Sequence, residues 1–344
     1  MLDRPPLTDA QIAETLERGW GLEIRRIEFL ALGHDANAWT FRADPLAGAP
    51  VFVKIRRTVD AIRLAALAYL SEHGIDAVVA PLRSIAGALS MPIDGLHVVA
   101  YPLVVARPAA EVGLTDAQWQ TYGSIVGRLH ATTLPAAIEA ALPRESFVPG
   151  SIGVLEGVRT IVERDPAVGG DDLDREVRRV WRVHRAEVEA IARRTIELSD
   201  QLRASVDRVG SSGFVPCHGD VHTYNVLVDE HGSLVVVDWD DIVMAPRERD
   251  LMFIVGSPIG MPRGTHELEQ FFRGYGPVEI DPRRLAYYHA EWAVQDVASH
   301  TEQALSSESG RPSRMDALRI LAGLFEPGDE VDVALNWDPE HLPV

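Results

Sequence analysis

Lysine is almost missing from this chain. Of its 33 basic residues, all but Lys54 are arginine. A coding bias toward arginine explains the excess. Under such a bias, a lone lysine marks a place where a wide planar guanidinium will not serve and a compact ammonium is needed. Cysteine is as scarce. Cys217 stands alone, which excludes an intramolecular disulfide framework and any cysteine-rich zinc site and fits a reducing cytoplasm. Long apolar runs are also lacking. A stretch such as HVVAYPLVVA at 97–106 falls far short of the ~20 residues that span a bilayer. The opening Met-Leu-Asp-Arg-Pro-Pro shows no apolar signal-peptide core, so a cytoplasmic location is expected. Positive charge is outweighed: 51 acidic residues against 33 basic ones leave a net charge of −18. That argues against nucleic acid, whose phosphates need clustered basic side chains, and against an anionic membrane surface. An acidic chain suits a small cationic or polyhydroxylated partner.

What is present is an ordinary globular composition, 46% hydrophobic and 24% charged over 344 residues, enough for one large domain or two packed lobes. Residues 7–20 read as a helix opened by a Thr8–Gln11 capping box, and 114–130 repeat that start with Thr115 and Gln118. Strands are expected at 23–32 and 37–43 around a turn at 33–37, then at 50–55 with Lys54 near the end. A helix follows at 59–73, with further strands near 84–89 and 96–101. After about 104 the pattern turns helical. Residues 172–207 form one long or two shorter helices. Short strands return at 214–217, 226–229 and 233–237, followed by helices at 265–274, 282–306 (with Asp281 as cap and Pro282 at its first position) and 313–324. The acidic tail, 327–344, is expected to be loosely ordered. The pattern predicts an α+β chain with a small β-rich lobe, 1–103, and a larger helical lobe, 104–344. The cleft between lobes is a usual place for a small-molecule site.

The sharpest signal is CHGDVHTYNVLVDEHGSLVVVDWDD at 217–241. Asp220 lies on a loop before a short strand, Asn225 follows five positions later, and Asp238 stands thirteen beyond Asn225 at a strand end. That spacing suits phosphoryl transfer, in which one carboxylate faces the attacking hydroxyl while an amide oxygen and a second carboxylate hold a hard cation against the phosphates. The protein's contribution to such chemistry is alignment and charge neutralisation.

The His-Gly-Asp-x-His-x-x-Asn form, with Asp-Trp-Asp at 238–240, resembles the aminoglycoside phosphotransferase and choline kinase superfamily, which has a two-lobed protein-kinase-like fold. LGHDANAWTFRA (32–43), FVKIR (52–56) and VVAYPLV (98–104) look most like its spectinomycin phosphotransferase branch. The resemblance implies an ATP- and Mg²⁺-dependent O-phosphotransferase acting on a hydroxyl of an aminoglycoside or aminocyclitol, with antibiotic inactivation as the outcome. GTP stays open as the donor. It implies Asp220 as catalytic base, Asn225 and Asp238 as magnesium ligands, and Lys54 on the α- and β-phosphates. It also implies backbone groups of Ala100 and Leu103 on the adenine edge, Gly33 in the loop over the phosphates, and His218 bonded to backbone in support of the catalytic loop. His222 either shapes that loop or reaches the phosphates.

The chain departs from the family pattern in two places. The phosphate loop has only Gly33, and no acidic partner for Lys54 stands at an obvious mid-helix position, since Asp60 and Glu72 lie at the ends of 59–73. Asp240 lies just past the metal ligand and is a candidate for the metal shell, the substrate or backbone support. On the helix at 282–306, Tyr288, Trp292 and Asp296 recur at helical spacing and are candidates to cover and neutralise a cationic sugar-like acceptor. As core aromatics they would read the same way. The Glu-Arg-Asp segment at 248–250 reads as packing and helix capping, and Cys217 as a small strand residue. Rival readings are a kinase of the same fold for choline, ethanolamine, homoserine, methylthioribose or a macrolide, and a nucleotide-binding protein without turnover.

Overall fold

The computed structural model describes residues 4–30, 38–164, 170–209, 213–256, 265–307 and 309–336. The chain opens with α1 (Asp9–Trp20), whose first turn is closed by the expected Thr8–Gln11 capping box. It continues through β1 (Ile24–Leu30), β2 (Ala38–Pro45), β3 (Val51–Arg56), α2 (Ala61–Glu72), β4 (Met91–Ile93) and β5 (Leu96–Pro102). The five strands form one antiparallel sheet in the order β1-β2-β3-β5-β4. Alternation along β3 divides its side chains. Val51, Val53 and Ile55 are buried, in one cluster with Ile12 and Leu16 of α1, while Phe52, Lys54 and Arg56 take the other face.

The larger part follows: β6 (Ala106–Pro108), α3 (Ala109–Val112), α4 (Asp116–Ala131), α5 (Ala136–Ala141), α6 (Gly150–Glu163), α7 (Asp172–Val183) and α8 (Arg185–Val209). Then come β7 (Val215–Cys217), β8 (Val226–Asp229), β9 (Leu234–Val236), β10 (Val243–Ala245), α9 (Glu248–Leu251), α10 (Thr265–Tyr275), α11 (Pro282–Leu305), α12 (Arg311–Gly323) and α13 (Glu330–Asn336). Helices dominate, with two small sheets, β6-β8-β9 and β7-β10, holding the segment between them. This is the expected α+β, protein-kinase-like architecture.

Residues 172–207 take the two-helix alternative, breaking at His184, whose ring stacks on Phe325 at 4.1 Å. Three expectations change. Residues 84–89 are a turn, closed by Ser84 N–H to the Ala88 carbonyl at 2.7 Å, and the strand lies at 91–93 instead. The tail contains α13, whose Val331 and Ala334 are buried in a helical core with α11 and α12. The lobe boundary at 103 does not follow the packing either. Ala66, Leu67 and Leu70 of α2, with Ile75, Ala77 and Val78, are buried in one cluster with Trp119, Tyr122 and Leu129 of α4. The Val236 N–H donates to the Ala77 carbonyl at 2.8 Å, and Arg128 donates to the Gly74 carbonyl at 2.7 Å. Helix α2 is thus early in sequence but belongs to the larger core.

Helices α4 and α10 cross with almost no side chain between them. A Cβ on Gly123 would lie 1.9 Å from the Phe271 carbonyl oxygen, and one on Gly274 would lie 1.8 Å from that of Gln120. Backbone cannot yield as a flexible side chain can, so Gly123→Ala is expected to cost about 3 kcal/mol. Gly157→Ala on α6, where nothing lies within 4 Å, is expected to stabilise by ~0.5–1 kcal/mol. Urea unfolding of both variants checks this, and equal midpoints would contradict the close crossing.

Candidate active site

Strand β7 ends at Cys217, whose buried thiol donates to the Ala245 and Pro246 carbonyls; burial pushes its pKa up, as suits an inert structural thiol. The loop that follows is held by one residue. Asp250 of α9 is fully buried, and its carboxylate accepts the backbone N–H groups of His218 at 2.9 Å and Gly219 at 2.7 Å. It also accepts from His130 Nε2 of α4 at 3.0 Å, and His130 Nδ1 lies 2.7 Å from the Tyr275 hydroxyl. Burial alone would raise this carboxyl. The hydrogen bond from His130 and the Gly219 N–H outweigh it and hold Asp250 below its ordinary range. Gly219 is required here: its φ is +86°, and a Cβ would lie 2.6 Å from the Asp241 carbonyl oxygen. The Glu-Arg-Asp segment, expected to pack and cap, thus carries the loop's anchor. Neither Asp250 nor His130 stands out in sequence, because nothing in the spacing of 130, 218 and 250 brings them together.

From that anchor the loop builds toward Asp220. His218 is buried, with Nε2 3.0 Å from the Val237 carbonyl and Nδ1 accepting the Asp220 N–H at 3.2 Å. Trp239 covers its ring at 4.3 Å. Asn225 Nδ2 donates to the Asp220 carbonyl at 2.8 Å and to Asp220 Oδ2 at 2.9 Å. Asp220 Oδ1 is buried and accepts no hydrogen bond, with His222 Nε2 at 3.3 Å. Burial, then Asp238 and Asp241, push the Asp220 carboxyl up to about 7, against the pull of Arg249 and of the Asn225 hydrogen bond. Burial and His218 push His222 down to about 4, so its ring is neutral at pH 7.

A pocket of about 450 Å³ opens beside this loop, between β3, β5, α2 and the Asp-Trp-Asp turn. Lys54, Asn225, Asp238 and Asp240 line it. Asp238 sits in the left-handed region at φ +60°, strained for a residue other than glycine, and is half-exposed there. Both Nδ2 bonds of Asn225 point at Asp220, so its amide oxygen is left for another ligand. A carboxylate and an amide oxygen are the hard donors that magnesium takes. Lys54 Nζ lies 3.3 Å from Asp238 Oδ1 and 2.5 Å from Asp240 Oδ2, and Arg56 Nη1 lies 2.6 Å from Asp240 Oδ1. Burial would lower the Lys54 pKa, but Asp238 and Asp240 outweigh it and raise it. Asp240, a substrate candidate in sequence, therefore has both oxygens engaged by cations of β3.

Of the two positions expected at the adenine edge, Ala100 is fully buried, and its carbonyl is taken by the Leu82 N–H at 2.7 Å, while the Leu103 N–H is bonded to the Pro50 carbonyl at 3.3 Å. Leu103 lines the pocket together with Pro102 and Val104, and Ala100 does not. Gly33 and the rest of the 33–37 turn lie outside the described residues.

The phosphotransferase enzyme family matches residues 27–288. This chain belongs to that family. No curated protein matches the sequence. Among solved structures, spectinomycin phosphotransferase APH(9)-Ia in complex with ADP and spectinomycin is 28% identical. The match has a TM-score of 0.85 over 96% of this chain and 98% of that one. An aminoglycoside phosphotransferase from Alicyclobacillus acidocaldarius (18% identity, TM-score 0.60, 99% and 98% covered) and choline kinase LicA from Streptococcus pneumoniae (13%, 0.56, 92% and 97%) share the fold.

Within this phosphotransferase fold the α11 candidates separate. Tyr288 is fully buried against Phe147, with its ring centroid 6.1 Å away, and cannot touch an acceptor. It is a core residue, set there by the apolar stripe of α11. Trp292 is half-buried, edge-on to Phe253 at 4.9 Å, and Phe253 in turn meets His222 at 5.7 Å, so it is tied to the catalytic loop. Asp296 lies further along α11 and faces Glu330 of α13. Burial pushes both carboxyls up, and the acidic neighbour Asp329 adds to it in each case.

These raised values carry a pH dependence. The folded chain binds a proton that the unfolded chain has released above its ordinary carboxylate range. The stability is therefore present at low pH and is lost as pH rises through the raised values. Glu330→Gln, which keeps the hydrogen bond and removes one charge, is expected to flatten the fall in Tm between about pH 5 and pH 8. Parallel wild-type and variant profiles would show that the pair is not protonated.

Proposed function

We propose that the chain transfers the γ-phosphoryl group of ATP to a hydroxyl of a spectinomycin-like aminocyclitol and so inactivates the antibiotic. The observation that carries this reading is the likeness to spectinomycin phosphotransferase over nearly the whole of both chains, at 28% identity and a TM-score of 0.85. The net charge of −18 suits a cationic acceptor.

In this scheme the acceptor hydroxyl lies against Asp220 Oδ1, the oxygen that accepts no hydrogen bond among the described residues. Asn225 holds Oδ2 and so fixes the direction of Oδ1. A pKa near 7 places Asp220 close to the working range of a general base. As the acceptor oxygen bonds to phosphorus, the bond from phosphorus to the leaving ADP oxygen breaks and the hydroxyl proton passes to Asp220. Lys54 braces the phosphates, and the pocket wall at Pro102, Leu103 and Val104 meets the adenine. Asn225 and Asp238 would hold magnesium, which when bound neutralises phosphate charge. The lobes divide the work: the sheet carries the nucleotide, and the helical part carries the base and the acceptor.

Asp220→Asn is expected to keep ADP affinity while kcat falls by ~10²-fold or more; near-full turnover would remove Asp220 from the base role. An ADP-release assay with MgATP and spectinomycin, kanamycin, hygromycin, choline and homoserine tests the acceptor. Release with spectinomycin alone is expected. Release with another compound of the panel would keep phosphotransfer and overturn the aminocyclitol.

A further inference from the structure

The ammonium of Lys54 rides on a flexible four-carbon stem and must be held if it is to meet phosphates. In protein kinases a helix glutamate does this. Helix α2 offers no such group. Asp60 caps its own helix by accepting the Ile62 and Arg63 N–H groups, and Glu72 pairs with Arg83 at 2.9 Å. The acid at Lys54 comes from the other side of the pocket. Asp240 puts Oδ2 2.5 Å from Lys54 Nζ and Oδ1 2.6 Å from Arg56 Nη1. Lys54 and Arg56 are two apart on one face of β3, so one carboxylate reaches both. Lys54 lines the pocket and Arg56 does not, which places Arg56 behind the acid.

We propose that Asp240 is the positioning residue of the phosphate site: pinned by Arg56, it holds Lys54 over the pocket in place of a helix glutamate. The inference rests on reading the pocket as a nucleotide site. It ties the lysine to the metal-binding segment, because only Trp239 separates Asp240 from Asp238.

An idle carboxylate beside a polyphosphate repels it, so removing one would tighten binding. Removing a carboxylate that positions the lysine weakens it. The signs are opposite, and calorimetry of ADP binding to the full chain in EDTA reads them without metal or acceptor. Asp240→Asn is expected to weaken ADP about tenfold, the scale of one charge-assisted hydrogen bond. Arg56→Gln is expected to act in the same direction and to add little on top of Asp240→Asn. Asp240→Glu is expected to recover part of the loss. ADP bound as well or better by Asp240→Asn would overturn the inference, and so would a loss seen only when Mg²⁺ is present, since that marks a metal ligand. Wild type that bound no ADP even with Mg²⁺ added would overturn the proposed function and this inference with it.

Discussion

The loop that carries Asp220 hangs from the carboxylate of Asp250. A buried charge is costly unless its oxygens are fully used, and here the two oxygens take two backbone N–H groups and one imidazole. That single group joins α4, α9 and the end of β7. The loop's course follows from it. Gly219 must turn left-handed against Asp241, His218 must lie under Trp239, and its ring then receives the Asp220 N–H. Asp220 is thus oriented through backbone as well as through Asn225.

Around Asp220 the cleft is crowded with acids. Asp220, Asp238, Asp240 and Asp241 all stand near one another, and the cations against them come from β3, from α2 and, through Arg249, from α9. Arg63 of α2 reaches Asp241 only at 3.8 Å. Burial, reinforced by the like charge of Asp238 and Asp241, is why the Asp220 carboxyl is pushed up, and the β3 cations are why Asp240 is held below its ordinary range although burial opposes it. Two carboxylates of similar chemistry are therefore set to opposite tasks by what faces them.

What the sequence singled out locally, the structure brings together. Asp220, Asn225 and Asp238 lie within twenty residues; Asn225 hydrogen-bonds Asp220, and Asn225 and Asp238 line one pocket. Lys54 stood out because it is alone of its kind. What distance in sequence hid was found only in three dimensions: Asp250 and His130 under the loop, Arg56 behind Asp240, and Glu330 against Asp296. At the expected adenine edge, the Ala100 carbonyl is taken by Leu82 and the Leu103 N–H by Pro50, pairings that depend on strand register, which a single strand does not reveal. Tyr288 was misread because a core stripe and a ligand-facing stripe have the same period on a helix. The segment 84–89 alternates like a strand, but Gly87 turns left-handed within it and the chain folds back on itself there.

The placement of α2 alters the mechanics of the cleft. Ile55 and Ile62 are close in sequence, yet one is buried in the core of the sheet and the other packs against the larger core. Leu82, which bonds to Ala100 and receives the Trp20 indole, rejoins the sheet only after Val78 has left the larger core. Relative motion of the two bodies must therefore bend the chain at three crossings, 57–60, 79–81 and 103–105. Three strands of chain across one gap make a stiffer joint than a single connector, and they confine the sheet to sliding rather than swinging away.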